Sequence, residues 1–292
     1  MKRITIILVF LLILSMFSGC SQPAPQAQIA ATTLPVYEFT CRLTDGTDIT
    51  VTRLVTESVS CLHDYSLNVR QVRAAEAAEV IVVSGAGLEE FMEDLLEGKN
   101  TIDSSVGIHL SECETEDDHD HDHDHHHETD SHIWLSPANA KIMAENICAG
   151  LMEQYPAHAD TFSRNLTVLL ADLDALQTYG ETQLSQLSCR EIITFHDGFG
   201  YFAESFGLTI LKAVEEESGA EASAQELKEL ILLVKEHNLP AIFVETNGAT
   251  SAAHTIAAST GTQVYTLDMA MSGDGYFHSM YHNIDVIKEA LE

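Results

Sequence analysis

Short apolar runs and amphipathic stretches take turns along almost the whole chain. In the first half, Ile29–Thr33, Ile49–Val55, Val80–Ser84 and Val106–Leu110 are compact runs rich in β-branched residues and read as strands. Helical spacing follows Tyr37, Leu67 and Leu88. In the second half, Glu191–Phe195, Leu208–Lys212, Ala241–Glu245 and Gln263–Leu267 read as strands, with Ala224–His237 and Ser251–Thr260 as helices between them. The alternation predicts an α/β fold made of two similar lobes, each a four-stranded sheet flanked by helices.

Between the lobes the period changes to that of long helices. Ser136-Pro137 supplies a cap and a first-turn proline, and that helix runs to the neighbourhood of Tyr155-Pro156. A second helix carries Phe162, Leu166, Leu169, Leu173, Leu176, Leu184 and Leu187 at steps of three and four, interrupted only at Gly180. A dimeric coiled coil could show the same seam. A strut between two α/β units fits better, because such units lie on both sides of it. The expected organisation is therefore an N-terminal lobe over 29–158, a rigid linking helix over 159–187 and a C-terminal lobe over 188–292, in a monomer.

The first twenty residues belong to none of this. Lys2 and Arg3 precede an apolar run from Ile4 to Phe17, and Ser18-Gly19-Cys20 closes it. That is the layout of a secretory signal peptide, 1–20, and the ending is similar to a lipobox in which Cys20 takes the lipid. Residues 21–28, rich in Pro, Ala and Gln, read as a flexible tether. The chain is then extracytoplasmic and lipid-anchored to the cell membrane, and no later run is long enough for a second span. Export permits disulfides. Of Cys41, Cys61, Cys113, Cys148 and Cys189, the favoured pair is Cys41 with Cys61, and an odd count leaves one thiol over.

Charge narrows the choice of partner. The formal net charge is −31, which argues against nucleic acid and against an anionic membrane face, and favours cations. Ten acids fall between Glu112 and Asp130 without one Lys or Arg, and interleaved with them stand His119, His121, His123, His125, His126 and His127. Imidazole and carboxylate are ligands for zinc and its neighbours. The tract, taken as an auxiliary loop over 112–130, can gather metal, but a polar run does not hold donors at fixed geometry.

A fixed site needs donors at strand ends, where open α/β sheets bind ligands. His63 follows the Ile49–Val55 strand, His132 precedes the Ser136-Pro137 helix, and His196 and Asp268 directly follow their strands. Three imidazoles and a carboxylate can close a tetrahedral shell around Zn²⁺. Asp197 and Glu245, beside strand ends, are candidates to orient the rings. His278 and His282 are one helical turn apart but lack the glutamate of a zincin motif. They read as surface residues, and His109, His158, His237 and His254 show no partner pattern.

The contexts of these histidines carry a resemblance. SHIWLSPANAKIMAENI (131–147) resembles the D-P-H-x-W-L-x-P signature of the zinc/manganese ABC-transporter solute-binding lipoproteins, the ZnuA-like cluster A-I family. FHDGFGYFAESFGL (195–208) is similar to its H-D-A-F-x-Y-F-A block, with Gly198 in place of the alanine. AEAAEVIVVSGAGLEEFMEDLL (75–96), AIFVETN (241–247) and VYTLD (264–268) match further segments in order. Around His63 only the histidine and Tyr65 keep the usual D-P-H-x-Y-E-P pattern. The resemblance implies that His63, His132 and His196 bind metal and that Asp268 is the fourth ligand used by some members. It also implies delivery of Zn²⁺, with Mn²⁺ as the alternative cargo, to an ABC permease with its ATPase, and no enzymatic activity. A secreted zinc metallohydrolase and a zinc-dependent adhesin are the readings from other classes.

Overall fold

The computed structural model describes residues 27–57, 62, 65–111, 129–214, 223–246 and 248–292. Cys20, residues 21–26 of the tether, Cys61, His63, Cys113, the six tract histidines and Asn247 lie outside the described residues.

Two parallel sheets form the two lobes. In the first, β1 (Ile29–Ala31), β2 (Val51–Arg53), β3 (Val80–Val83) and β4 (Thr101–Asp103) are ordered β2-β1-β3-β4. In the second, β5 (Glu191–Thr194), β6 (Thr209–Ala213), β7 (Ala241–Glu245) and β8 (Gln263–Leu267) are ordered β6-β5-β7-β8. The plan is the same in both. Each sheet reverses its winding between its first and third strands, and that switch point opens a crevice at the carboxyl ends.

The helices are α1 (Leu34–Thr44), α2 (Val69–Ala77), α3 (Glu93–Leu96), α4 (Pro137–Gln154), α5 (Ala159–Gln183), α6 (Gly200–Phe206), α7 (Ala224–His237), α8 (Ser251–Thr260) and α9 (Tyr276–Leu291). Their ends follow local chemistry. Asn68 caps α2 and Ser223 caps α7, each in a reciprocal capping box with the residue three positions on. Pro137 opens α4 behind the Ser136 cap.

The expected strand at Val106–Leu110 is not one. The fourth strand is Thr101–Asp103, where only Ile102 is buried, so the alternation is too short to stand out. Val106 is 62% exposed and Gly107 turns the chain at φ +81°. Asn146 Nδ2 donates to the carbonyls of Ser104 and Val106, which satisfies the turn from α4.

At 25 residues α5 spans about 38 Å. It buries Phe162, Leu169, Leu173 and Leu176, so truncating Leu173 to alanine costs about 2–5 kcal/mol. Gly180 is needed where the leucine series breaks, because a Cβ there would overlap the Phe206 ring of α6. One hydrophobic core runs from Ile29 and Phe39 through Leu173 to Phe202 and Ile284, crossing both lobes. Pulling the lobes apart would expose that surface at about 25 cal/mol per Å², which holds their relative position. Among the described residues, no helix is long and apolar enough to cross a membrane. Cys41, Cys148 and Cys189 are free thiols among them.

Candidate metal site

His196 stands two residues past β5, at the switch point of the second sheet. The Phe195 N–H bonds the Phe243 carbonyl at 2.9 Å, so the chain leaves the sheet only at the histidine. Glu245 ends the neighbouring β7 and is 7% exposed. Its Oε2 lies 3.9 Å from His196 Nδ1. Asp197, half-buried, follows directly.

His132 comes from the other side. It precedes a 3₁₀ turn, Ile133–Leu135, whose three side chains are wholly buried and lock the turn in place. Asp130 Oδ1 accepts the His132 backbone N–H at 2.9 Å and sits 2.8 Å from its Nδ1. A carboxylate oxygen can only accept, so Nδ1 carries a proton, and in the neutral ring Nε2 is the nitrogen left with its lone pair. Tyr201, on α6 and so on the His196 block, donates its hydroxyl proton to the Asp130 carbonyl.

The two imidazoles meet. His132 Nε2 is 3.3 Å from His196 Nε2, with ring planes at 89°. Gly198 makes room for this: a Cβ there would lie 2.8 Å from His196 Cδ2, 3.0 Å from His132 Cε1 and 2.7 Å from Met269 Cε.

Asp268 follows β8 in a loop stitched to the His132 turn. Trp134 Nε1 donates to the Met269 carbonyl at 2.8 Å, and the Tyr276 hydroxyl donates to the Trp134 carbonyl at 2.9 Å. Asn283 grips Asp268 at both its N–H and its C=O. Asp268 Oδ1 accepts the Ala270 N–H at 2.7 Å. Among the described residues no set of three His, Cys, Asp or Glu side chains is gathered closely enough to hold an ion. His132 and His196 come as a pair, and Asp268 is not gathered with both of them into a set of three. Sequence reasoning chose Asp197 and Glu245 as ring-orienting groups and missed Asp130, although an Asp two residues before a histidine is a turn-forming signal.

The family description "Zinc-uptake complex component A periplasmic" (ZnuA) matches residues 29–290. The chain belongs to the ZnuA family. Among its relatives, the high-affinity zinc uptake system protein ZnuA of Bacillus subtilis is 30% identical over 280 residues, covering 90% of this chain and 87% of that protein. The zinc-binding lipoprotein AdcA of Streptococcus pneumoniae is 29% identical across the full chain, which spans only 62% of AdcA's length. A crystal structure of ZnuA superposes with a TM-score of 0.78 at 31% identity, covering 91% of this chain and all of that one. The family's two-lobed α/β architecture is the one found here.

Proposed function

We propose that this chain is the extracytoplasmic, lipid-anchored zinc-binding component of a metal ABC importer, which captures Zn²⁺ between its lobes and hands it to a permease driven by its ATPase. One observation carries the reading. Two nitrogens each about 2.0–2.1 Å from a tetrahedral zinc stand about 3.3–3.4 Å apart, and His132 and His196 present their Nε2 atoms at 3.3 Å. The far nitrogen of each ring faces a carboxylate, Asp130 and Glu245, as is usual for histidines that hold metal.

In this reading His63 and Asp268 complete the shell. Imidazole donors suit a borderline ion such as zinc better than harder manganese. The ion is cargo: it is bound and released unchanged. Binding needs neutral imidazoles, so acid releases the metal.

Competition of Zn²⁺ and Mn²⁺ against a chromophoric chelator tests this, using the full chain with its six tract histidines replaced by asparagine. One tight zinc is expected, and His132→Ala or His196→Ala abolishes it. An unchanged dissociation constant in both variants overturns the assignment.

A further inference from the structure

Four of the described histidines are already engaged with carboxylates: His132 with Asp130, His158 with Asp48, His196 with Glu245 and His237 with Glu191. His278 and His282 differ. Both are exposed on α9, and among the described residues neither side chain has a hydrogen bond or ion pair. The helix buries Tyr276, Ser279, Met280, Asn283, Ile284 and Ile287. Its solvent face is the opposite stripe: His278, His282, Asp285 and Glu289, at steps of four, three and four.

On a helix, positions four apart place their Cβ atoms about 5–6 Å from each other on one face. Two imidazoles so placed can swing their ring nitrogens onto a single ion, which is how the paired histidines of helical zinc motifs work. Cations that could compete for this face are held elsewhere. Lys288 Nζ donates to Gln183 Oε1 at 2.8 Å, while Arg42 pairs with Asp172 and lies over the Phe277 ring. The face continues with acid: Asp285 Oδ1 accepts the Tyr179 hydroxyl proton at 2.6 Å, which fixes that carboxylate one turn beyond His282.

We propose that His278 and His282 form a second, solvent-facing site for a divalent cation of the zinc, copper or nickel class. It goes beyond the capture site between the lobes and does not depend on it. Two imidazoles supply part of the coordination and water supplies the rest, so this site is open and exchanges quickly, whereas a closed four-donor shell holds its ion.

The test is a residue-resolved footprint on the full chain. Exposed imidazoles are carbethoxylated with diethyl pyrocarbonate across a ZnCl₂ titration, and each histidine is followed by mass spectrometry. His254, exposed and unengaged on α8, sets the baseline for a lone imidazole. His278 and His282 are expected to become protected together, at zinc concentrations about tenfold or more below that baseline, because the second donor binds intramolecularly. His282→Ala, at an exposed position, moves His278 up to the His254 baseline. The proposal is overturned if His278 tracks His254 in the unaltered chain, or if its protection is unchanged by His282→Ala. Loss of the interlobe site through His132→Ala leaves both results as they were, so the two readings fail separately.

Discussion

Tyr201 and Asp130, 71 residues apart, are joined at the base of the acidic histidine tract: the phenol donates to the Asp130 carbonyl at 3.1 Å and accepts the Ser111 N–H at 2.9 Å. The Asp130 N–H in turn reaches the Ser111 carbonyl at 2.9 Å. One hydroxyl of the His196 block therefore fastens the residues on both sides of the tract, and with them the carboxylate that orients His132. Gly200 lets this happen, since a Cβ there would press on Asp130 Oδ2 at 3.2 Å.

Asp130→Ala should weaken zinc binding by about 10–100-fold, the usual cost of removing a group that orients a metal-bound histidine. Tyr201→Phe, acting through Asp130, should lose less, and the double variant should lose no more than Asp130→Ala alone. Chelator competition on all three decides it. Tight binding by Asp130→Ala would show that the ring needs no such partner.

Gly198→Ala puts a methyl among His132, His196 and Met269, at the one position where the His196 block departs from the family's H-D-A-F pattern. Overpacking of this kind costs about 1–3 kcal/mol. Without metal the rings can relax apart, but zinc demands their close approach, so the strain falls on binding. The dissociation constant should rise about tenfold while the thermal midpoint of the metal-free chain barely moves. A large drop in that midpoint with unchanged affinity would place the strain in the fold instead.

The second lobe was the more legible half. Ala224–His237, Ala241–Glu245, Ser251–Thr260 and Gln263–Leu267 form the elements their spacing predicts. Ser223 with Glu226 marks one helix start, and Asn238 and Gly261, both at positive φ, mark two helix ends. The first lobe hid β4, because one buried side chain in three residues makes no visible alternation. The two histidine blocks were conspicuous, but what orients His132 was not: Asp130 reads as the last of ten acids in a solvated run. The reason for Gly198 was equally hidden, since it lies in a contact among three segments distant in sequence.

Tyr276 and Trp134 test how firmly the Asp268 loop is held to the His132 turn. Both side chains are wholly buried. Tyr276→Phe removes the proton donated to the Trp134 carbonyl, which costs about 1–3 kcal/mol when the acceptor stays buried. Urea unfolding of the metal-free chain should show that loss with an unchanged slope. An effect under about 0.5 kcal/mol would mean that another donor replaces the phenol.

Glu89 gives the fold a pH dependence of its own. Its carboxylate is buried at the switch point of the first sheet, where it accepts the Thr32 hydroxyl proton at 2.6 Å and the N–H groups of Ser84 and Gly85 at 2.7 and 3.0 Å. Burial dominates those donors and, with the nearby Asp103 charge, pushes the group up to about 7. A carboxyl raised on folding favours the native state in its protonated form. Its contribution is thus complete below the unfolded value near 4.5 and is lost as pH rises through about 7. The span corresponds to about 3 kcal/mol. Zinc-free protein should lose stability from about pH 5 to pH 8 more steeply than Glu89→Gln, whose side chain does not titrate. Carbon-13 spectra of the unaltered chain should show one side-chain carboxyl titrating near neutrality, a reading that stands even where the glutamine variant folds poorly. Parallel stability profiles, together with every carboxyl titrating below about 5, would mean that Glu89 stays ionised and that its three donors outweigh its burial.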